Sequence, residues 1–423
     1  MSSSLLLMAC LLAAQVPAED PLQITVRRLV RQLDAPRLIE RDEAEAKLLG
    51  LGPDVVRLLP GVTERTPAEV KQRLQRVRQK LERTVAHSAG DPSLVTLQAR
   101  AESLSQILSA ISRQTGNKIV DARKQAGNAP DDPSVSVDFH NAPFWPALDE
   151  VLDQAGLTVY PYGEADAISV VAKPNGQGSR ARRGIYCGPF RLEPIRVLSE
   201  RDLREPANQS LRLTLEAIWE PRLKPINLKL PLANLGIVDG QGNPLGVDNR
   251  RAELEIPVTP GVTAAELTLP LALPSRDVKQ IGRLQGVLSA LVPGKMETFR
   301  FDHLATAANA EKRIANTTVV LERVRKNEAA WEVRILVRFD QAAGALESHR
   351  GWILQNEAYL EGPDGKPIPY GTMETTRQTD NEIGIVYLFN LDVPLDNLAF
   401  VYKSPGAILT TSFDFTIKDI ALP

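Results

Sequence analysis

The spacing of apolar positions changes twice along the chain, and each change predicts a different architecture. Between residues 19 and 88 the apolar positions fall at helical spacing. Leu22, Val26, Leu29, Val30 and Leu33 line one face of a first helix that Pro36 closes. A second helix is predicted over Arg41 to Leu51, with Gly50, Gly52 and Pro53 at its end. Thr66-Pro67 starts a third, with Val70, Leu74, Val77, Leu81 and Val85 on one face and Lys71, Arg73, Arg76, Arg78, Lys80 and Arg83 covering the remainder. Residues 91 to 172 mix two periods. An alternating strand, a helix with Leu104, Ile107, Leu108 and Ile111 on one face, a Gly116 stop and a strand at Lys118-Ile119-Val120 form one half. Val135, Val137 and Phe139, a helix with Phe144, Leu148, Val151 and Leu152, Gly156 and Leu157-Thr158-Val159 repeat that order. Two β-α-β halves predict a small α/β layer with its helices on one sheet face.

From residue 184 onward the period is two. Leu211, Leu213, Leu215 and Ala217 alternate with Arg212, Thr214 and Glu216. The same alternation runs through Ala252 to Val258, Leu267 to Leu271, Trp331 to Phe339 and Ile383 to Phe389. Half-buried strands broken by Pro and Gly predict β-sandwiches. Four landmarks recur in one order. Leu192 to Arg196 matches Leu321 to Arg325, and the strand of Trp219 matches that of Trp331. The turn Asp239 to Leu245 matches Pro363 to Ile368. Pro293-Gly294 before Phe299-Arg300-Phe301 matches Pro405-Gly406 before Phe413-Asp414-Phe415. The fold class read from the sequence is therefore multidomain α+β. It comprises an N-terminal helical bundle (19–88), the β-α-β/β-α-β module (91–172) and two tandem Ig-like β-sandwiches (184–305 and 315–423). The Ala-rich stretch Leu304 to Ala315 between the sandwiches is expected to be a short helix or a linker. Residues 173–183 read as a flexible basic linker that carries Arg180, Arg182 and Arg183.

Two stretches resemble known families. "LVRQLDAPRLIERDEAEAKLLGLGPDVVRLLPG" is similar to a HEAT-type helical repeat over about one and a half repeats, which implies a small cap or docking bundle. "VSVDFHNAPFWPALDEVLDQAGLTV" resembles the short N-terminal domain shared by secretins and TonB-dependent receptors. Its matching features are the alternating strand, the Asn-Ala-Pro turn, the Ala-Leu-x-x-Val-Leu helix and the Gly-Leu stop. That resemblance implies a protein-protein contact module of the bacterial envelope, with no catalytic residues to carry over.

The chain has 423 residues with 50 Lys plus Arg against 52 Asp plus Glu, a balance that argues against a nucleic-acid partner. The run Leu5 to Ala14, followed by Val16-Pro17-Ala18, reads as a signal peptide over residues 1–18. It predicts export to the periplasm or the exterior, with a lipid anchor at Cys10 as the alternative. No later segment has the apolar length of a transmembrane helix. The two cysteines, Cys10 and Cys187, and the scattered His87, His140, His303 and His349 fit no metal-site spacing. Gly-x-Ser-x-Gly and phosphate-loop motifs are missing. Asp131-Asp132 and Asp149-Glu150 are carboxylate pairs by type, and both read as surface. Asp239 to Asn243 reads as a turn. No cofactor, metal or catalytic residue is expected.

The candidate contact residues are Phe144, Trp145, Tyr160, Tyr162, Arg180, Arg182 and Arg183. Phe144 fits the buried face of its helix, whereas Trp145 lies one position off it and is expected at an exposed module edge. The expected function is a non-enzymatic envelope or periplasmic protein that acts as an interaction or scaffold module, with an envelope protein as partner. The alternative is binding of a cell-wall polymer or polysaccharide through the sandwiches. A hydrolase with an unrecognised carboxylate site is the third reading.

Overall fold

The computed structural model describes residues 21–61, 66–123, 131–174, 178, 185–205, 207–327, 330–347, 350–391 and 395–423. The signal-peptide segment, Cys10, Arg180, Arg182 and Arg183 lie outside the described residues. The chain divides into two compact units, residues 1–85 and 86–423. Strands predominate, with five α-helices among the described residues.

The first unit is helical. α1 (Pro21–Gln32), α2 (Leu38–Gly50) and α3 (Ala68–Ala89) enclose Val26, Leu29, Leu33, Ala44, Leu48, Val70, Leu74, Val77 and Leu81. The spacing of Val70, Leu74, Val77 and Leu81 puts all four on one face of α3, and all are buried. Each such side chain contributes about 1.5–3 kcal/mol relative to exposure. Leu74→Ala would cost about 2–5 kcal/mol. Arg73 departs from the expected solvated face. It is buried and donates to Glu69 (3.0 Å), Asp42 (2.8 Å) and Glu45 (2.8 Å). The hydrogen bond with Asp42 leads the causes that hold its guanidinium above its ordinary pKa, against the opposing effect of burial. A guanidinium with carboxylates on three sides is held in one place, so Arg73 ties α3 to α2.

The module of residues 91–172 has the predicted elements in the predicted order. They are β1 (Leu94–Ser103), α4 (Leu104–Thr115), β2 (Ile119–Asp121), β3 (Ser134–Pro143), α5 (Phe144–Gln154), β4 (Leu157–Tyr160) and β5 (Ile168–Ala172). Gly116 and Gly156 stop the two helices at φ 71° and 68°, a left-handed conformation that favours glycine. The expected single layer is corrected. β1 pairs antiparallel with β3, whereas β2 joins β5 in parallel and β4 joins β5 antiparallel, which makes two sheets. The first strands of the two halves pair with each other, and the helices touch strands of both sheets.

The β-region forms two cores, each enclosed by two sheets. The first core lies between the order β12-β8-β7-β6 and a sheet built around β13. These strands are β6 (Ile185–Cys187), β7 (Phe190–Arg201), β8 (Gln209–Trp219), β12 (Ala264–Leu271) and β13 (Gln280–Pro293). β9 (Asn227–Pro231), β10 (Gly236–Asp239) and β11 (Glu253–Pro257) complete the second sheet on one side of β13. The second core lies between β14 (Met296–Phe301), β22 (Ala399–Pro405), β18 (Ala358–Glu361) and β19 (Pro367–Pro369) on one side and five strands on the other. Those five are β15 (Ala308–Ile314), β16 (Thr317–Asn327), β17 (Ala330–Phe339), β21 (Glu382–Phe389) and β20 (Thr372–Gln378), in that order. The predicted inward positions Leu211, Leu213, Leu215 and Ala217, and Val333, Ile335, Val337 and Phe339, are all buried.

Two expectations are corrected here. Leu304 to Ala315 is neither helix nor linker: its residues 308–314 are β15, an edge strand paired with β16. The boundaries 184–305 and 315–423 also fail, because the closing strands are exchanged. β23 (Ile408–Ala421) pairs with β13 beside the first β core along Pro293↔Ile408 to Gln280↔Ala421. β14 pairs with β22 beside the second β core, with Phe299 opposite Tyr402. Phe415, Ile417 and Ile420 therefore fill the first core, and Phe299 and Phe301 fill the second.

Candidate functional site

The four predicted contact residues that are described, Phe144, Trp145, Tyr160 and Tyr162, fall at or beside the seam between the 91–172 module and the first β core. Phe144 opens α5, is fully buried, and meets the Trp145 ring edge-on at 5.0 Å and 71°. Trp145 is corrected from an exposed edge to a buried anchor, 1% exposed. Its indole Nε1 donates to the Pro189 carbonyl at 2.9 Å. Trp145 belongs to the module's own core cluster, and its indole is also met by the β6–β7 turn at Pro189. Ile218 and Ala264 of the β-region pack into the same cluster.

Charge reinforces the seam. Asp149 on α5, expected on a helix surface, is buried and accepts from Arg191 Nε at 2.9 Å and from the Tyr186 hydroxyl at 2.7 Å. Arg191 also donates to Glu193 at 3.2 Å. Burial works against the Arg191 charge, and the nearby Asp149 and Glu193 outweigh it, so its pKa rises. Burial, then the Asp149 charge, pushes the Tyr186 phenol well above its ordinary value. A second knot centres on Glu220, which is fully buried. Its carboxylate accepts from the Ser93 amide (3.0 Å), the Ser93 hydroxyl, Asn117 Nδ2 (3.0 Å) and Arg222 Nε (2.7 Å). Asn117 Oδ1 in turn accepts the Arg222 amide at 3.1 Å. Neither knot was legible in the sequence, because each joins residues far apart in the chain.

Tyr160 and Tyr162 remain at the surface beside this seam, 47% and 41% exposed. Their rings meet at 5.9 Å and 68°. The Tyr162 hydroxyl donates to Glu216 Oε1 at 3.1 Å, which bridges the module to β8. Partial burial, then the charge of Glu216, raises the Tyr162 phenol above its ordinary pKa. The structure thus divides the predicted set. Phe144 and Trp145 serve the internal joint, and the tyrosine pair faces outward.

A cleft of about 420 Å3 opens nearby between the two β cores. Its walls include Trp219, Pro257, Pro293, Arg350, Trp352 and Pro405, and Asp166 of the small module reaches its rim. Trp219 is buried, so its ring is core, as the strand pattern predicts. Trp352 is half-buried, donates Nε1 to the Ala345 carbonyl at 2.7 Å and packs 6.0 Å from the Phe339 ring. Arg350 is buried and paired with Glu255 of β11 and, at 3.3 Å, with Glu347. Burial lowers its pKa. At the rim Lys224 pairs with Asp166 at 2.8 Å.

Among the described residues no group of three or more His, Cys, Asp or Glu side chains could hold a metal ion. Cys187 is buried, and burial pushes its thiol up to about 12. His140 is exposed beside Asp138. Asp239 accepts from the amides of Gln241 (2.8 Å) and Asn243 (2.9 Å) and from Asn243 Nδ2 (2.9 Å), the hydrogen-bonding of a tight turn. No protein-family model matches the chain, and no curated protein is significantly similar to it.

Proposed function

We propose that this chain is a non-enzymatic protein of the bacterial envelope that works by protein-protein contact, through a surface centred on Tyr160 and Tyr162. In this reading residues 91–172 are a relative of the short N-terminal domain of secretins and TonB-dependent receptors. The two β units are Ig-like sandwiches that hold it, the helical unit is a HEAT-like cap, and residues 1–18 direct export. The observation that carries the reading is the division of aromatic residues at the seam. Trp145 is consumed by the internal joint, while two tyrosines stay exposed on a base fixed by Asp149–Arg191 and Glu220. Exposed tyrosines on a rigid support offer a large contact area at a small entropy cost.

Deleting residues 91–172 would strand Arg191 and Glu220, so the test uses point changes. In-cell cross-linking of the Tyr160→Ala/Tyr162→Ala variant is compared with the parent chain, read by mass spectrometry. Loss of a discrete envelope partner, with the far-UV spectrum unchanged, supports the reading. Partner cross-links that survive the double change refute this contact surface. The cleft favours a second reading, a cell-wall glycan stacked on Trp352, since a half-buried indole at a cleft wall offers its face to a sugar ring. It predicts retention on purified wall material that Trp352→Ala abolishes.

A further inference from the structure

Among the described residues, the outer edge of β7 beyond Leu192 is an open sheet edge with an unusual surface. β6 pairs only with Phe190 to Leu192, and among the described residues no other strand pairs on that side of β7. The remainder of β7 continues its backbone pairing with β8, with a register shift between Pro194 and Arg196 and a regular ladder after it. Natural sheets protect such edges with charge, proline or a bulge, because unpaired backbone groups recruit another strand. Here the bulge protects only the start. The edge carries apolar side chains in the open: Ile195 in the bulge is 41% exposed, Leu198 beyond it 47%, and Leu203 in the following turn 92%.

The charges on this edge are self-complementary. Val197 faces the first core, which places Arg196, Leu198 and Glu200 together on the opposite face. In an antiparallel pairing of two β7 strands centred on Leu198, the two Leu198 side chains meet. Arg196 of each copy then stands opposite Glu200 of the other, and Val197 stands opposite Ser199. Both charge pairs are satisfied by one two-fold axis, the arrangement an isologous dimer needs. Arg196 already touches Glu266 at 3.2 Å, but both side chains are largely exposed, and such a pair holds the arginine weakly.

We propose that two copies of this chain associate through their β7 edges, antiparallel and in register at Leu198, joining two four-stranded sheets into one of eight. The proposal is independent of the partner reading, since it uses a different edge. The test is molar mass by light scattering after size exclusion, over a range of concentrations. The parent chain is expected to dimerise. Arg196→Glu and Glu200→Arg each set two like-charge pairs across the axis, and each is expected to raise the dimer dissociation constant about tenfold or more. The double exchange Arg196→Glu/Glu200→Arg restores opposite charges and is expected to restore the dimer. Leu198→Lys is expected to give a monomer. All three positions are exposed, so unfolding midpoints should stay near the parent's. A parent chain that is monomeric at every concentration overturns the proposal. So does a dimer indifferent to Leu198→Lys, or a double exchange that fails to recover what the single changes lose.

Discussion

The Gly294 amide donates to the Ala407 carbonyl at 2.8 Å, where the two Pro-Gly turns of the β-region cross. The Gly406 amide returns a bond to the Lys295 carbonyl at 2.9 Å. At this crossing each half of the duplicated region hands its closing strand to the other. The simplest hairpins, β13 with β14 and β22 with β23, are both absent, and the reciprocal pairs replace them. The arrangement is a strand exchange within one chain, chemically equivalent to a domain swap.

A chain ended after Ala407 should therefore lose its first β core and not its second. β13 would lose its long partner, and Phe415, Ile417 and Ile420 would leave the core. Hydrogen exchange should show protection lost across β7 to β13 and retained in β16, β17 and β21. In the full chain Phe415→Ala is expected to cost about 3–5 kcal/mol in urea unfolding. Equal protection of both cores in the truncated chain would show that β23 is dispensable.

The Trp145 indole is the anchor of the module on the β-region. Trp145→Ala removes a buried ring and should cost about 3–5 kcal/mol. Trp145→Phe keeps most of the ring but loses the bond to Pro189, and should cost about 1 kcal/mol beyond repacking. The Pro189 carbonyl also accepts the Glu220 amide at 3.0 Å, which limits that loss. Urea midpoints of the two variants separate packing from hydrogen bonding, and equal losses would mean that the ring contributes little.

Arg191 and Asp149 are both almost fully buried, so removing one charge leaves the other unpaired. Arg191→Met should cost about 3–5 kcal/mol. Arg191→Met with Asp149→Leu removes both charges and should recover most of that loss, because the desolvation penalty goes with them. A double variant as unstable as the single one would place the cost in packing and not in the stranded carboxylate.

The sequence was most legible where one element meets its own core. Alternation at Leu211 to Ala217 and at Val333 to Phe339 predicts strands that face inward, and they do. Gly116 and Gly156 mark both helix stops. The four landmarks recur in one order in both halves of the β-region, yet they cannot say which core receives a closing strand. Phe299-Arg300-Phe301 and Phe413-Asp414-Phe415 have the same alternation and fit either core. Trp145 fails for a related reason: helical period reports one stripe of α5 and is blind to Pro189, Ile218 and Ala264, β-region residues that help bury the ring. β15 is missed because an exposed edge strand rich in alanine has no buried face to impose alternation. Of the candidate site, the tyrosine pair was legible only as contact candidates, not as exposed rings. The Glu220 knot and the cleft at Trp352 arise from residues more than a hundred positions apart and left no local signal.

Acid sensitivity should appear at a carboxylate on β17, on the sheet face opposite the inward Val333 and Ile335. Glu332 on β17 accepts from Arg325 Nε at 2.5 Å and Asn327 Nδ2 at 2.7 Å. The bond from Arg325 holds its carboxyl below the usual range, although burial opposes this. Asp239 and Asp364 shift the same way, each in its own turn, Asp239 chiefly through Asn243 and Asp364 chiefly through Lys366. A depressed carboxylate binds fewer protons when folded than when unfolded, so its contribution is full above the ordinary value of about 4.3. It is lost as pH falls through the folded value. Glu332→Gln should thus be less stable than the parent at neutral pH. The gap should close as pH falls below about 4, where the parent's own carboxylate is protonated. Urea midpoints of both chains across that range provide the measurement. A gap that stays constant with pH would mean that Glu332 acts through packing and not through its charge.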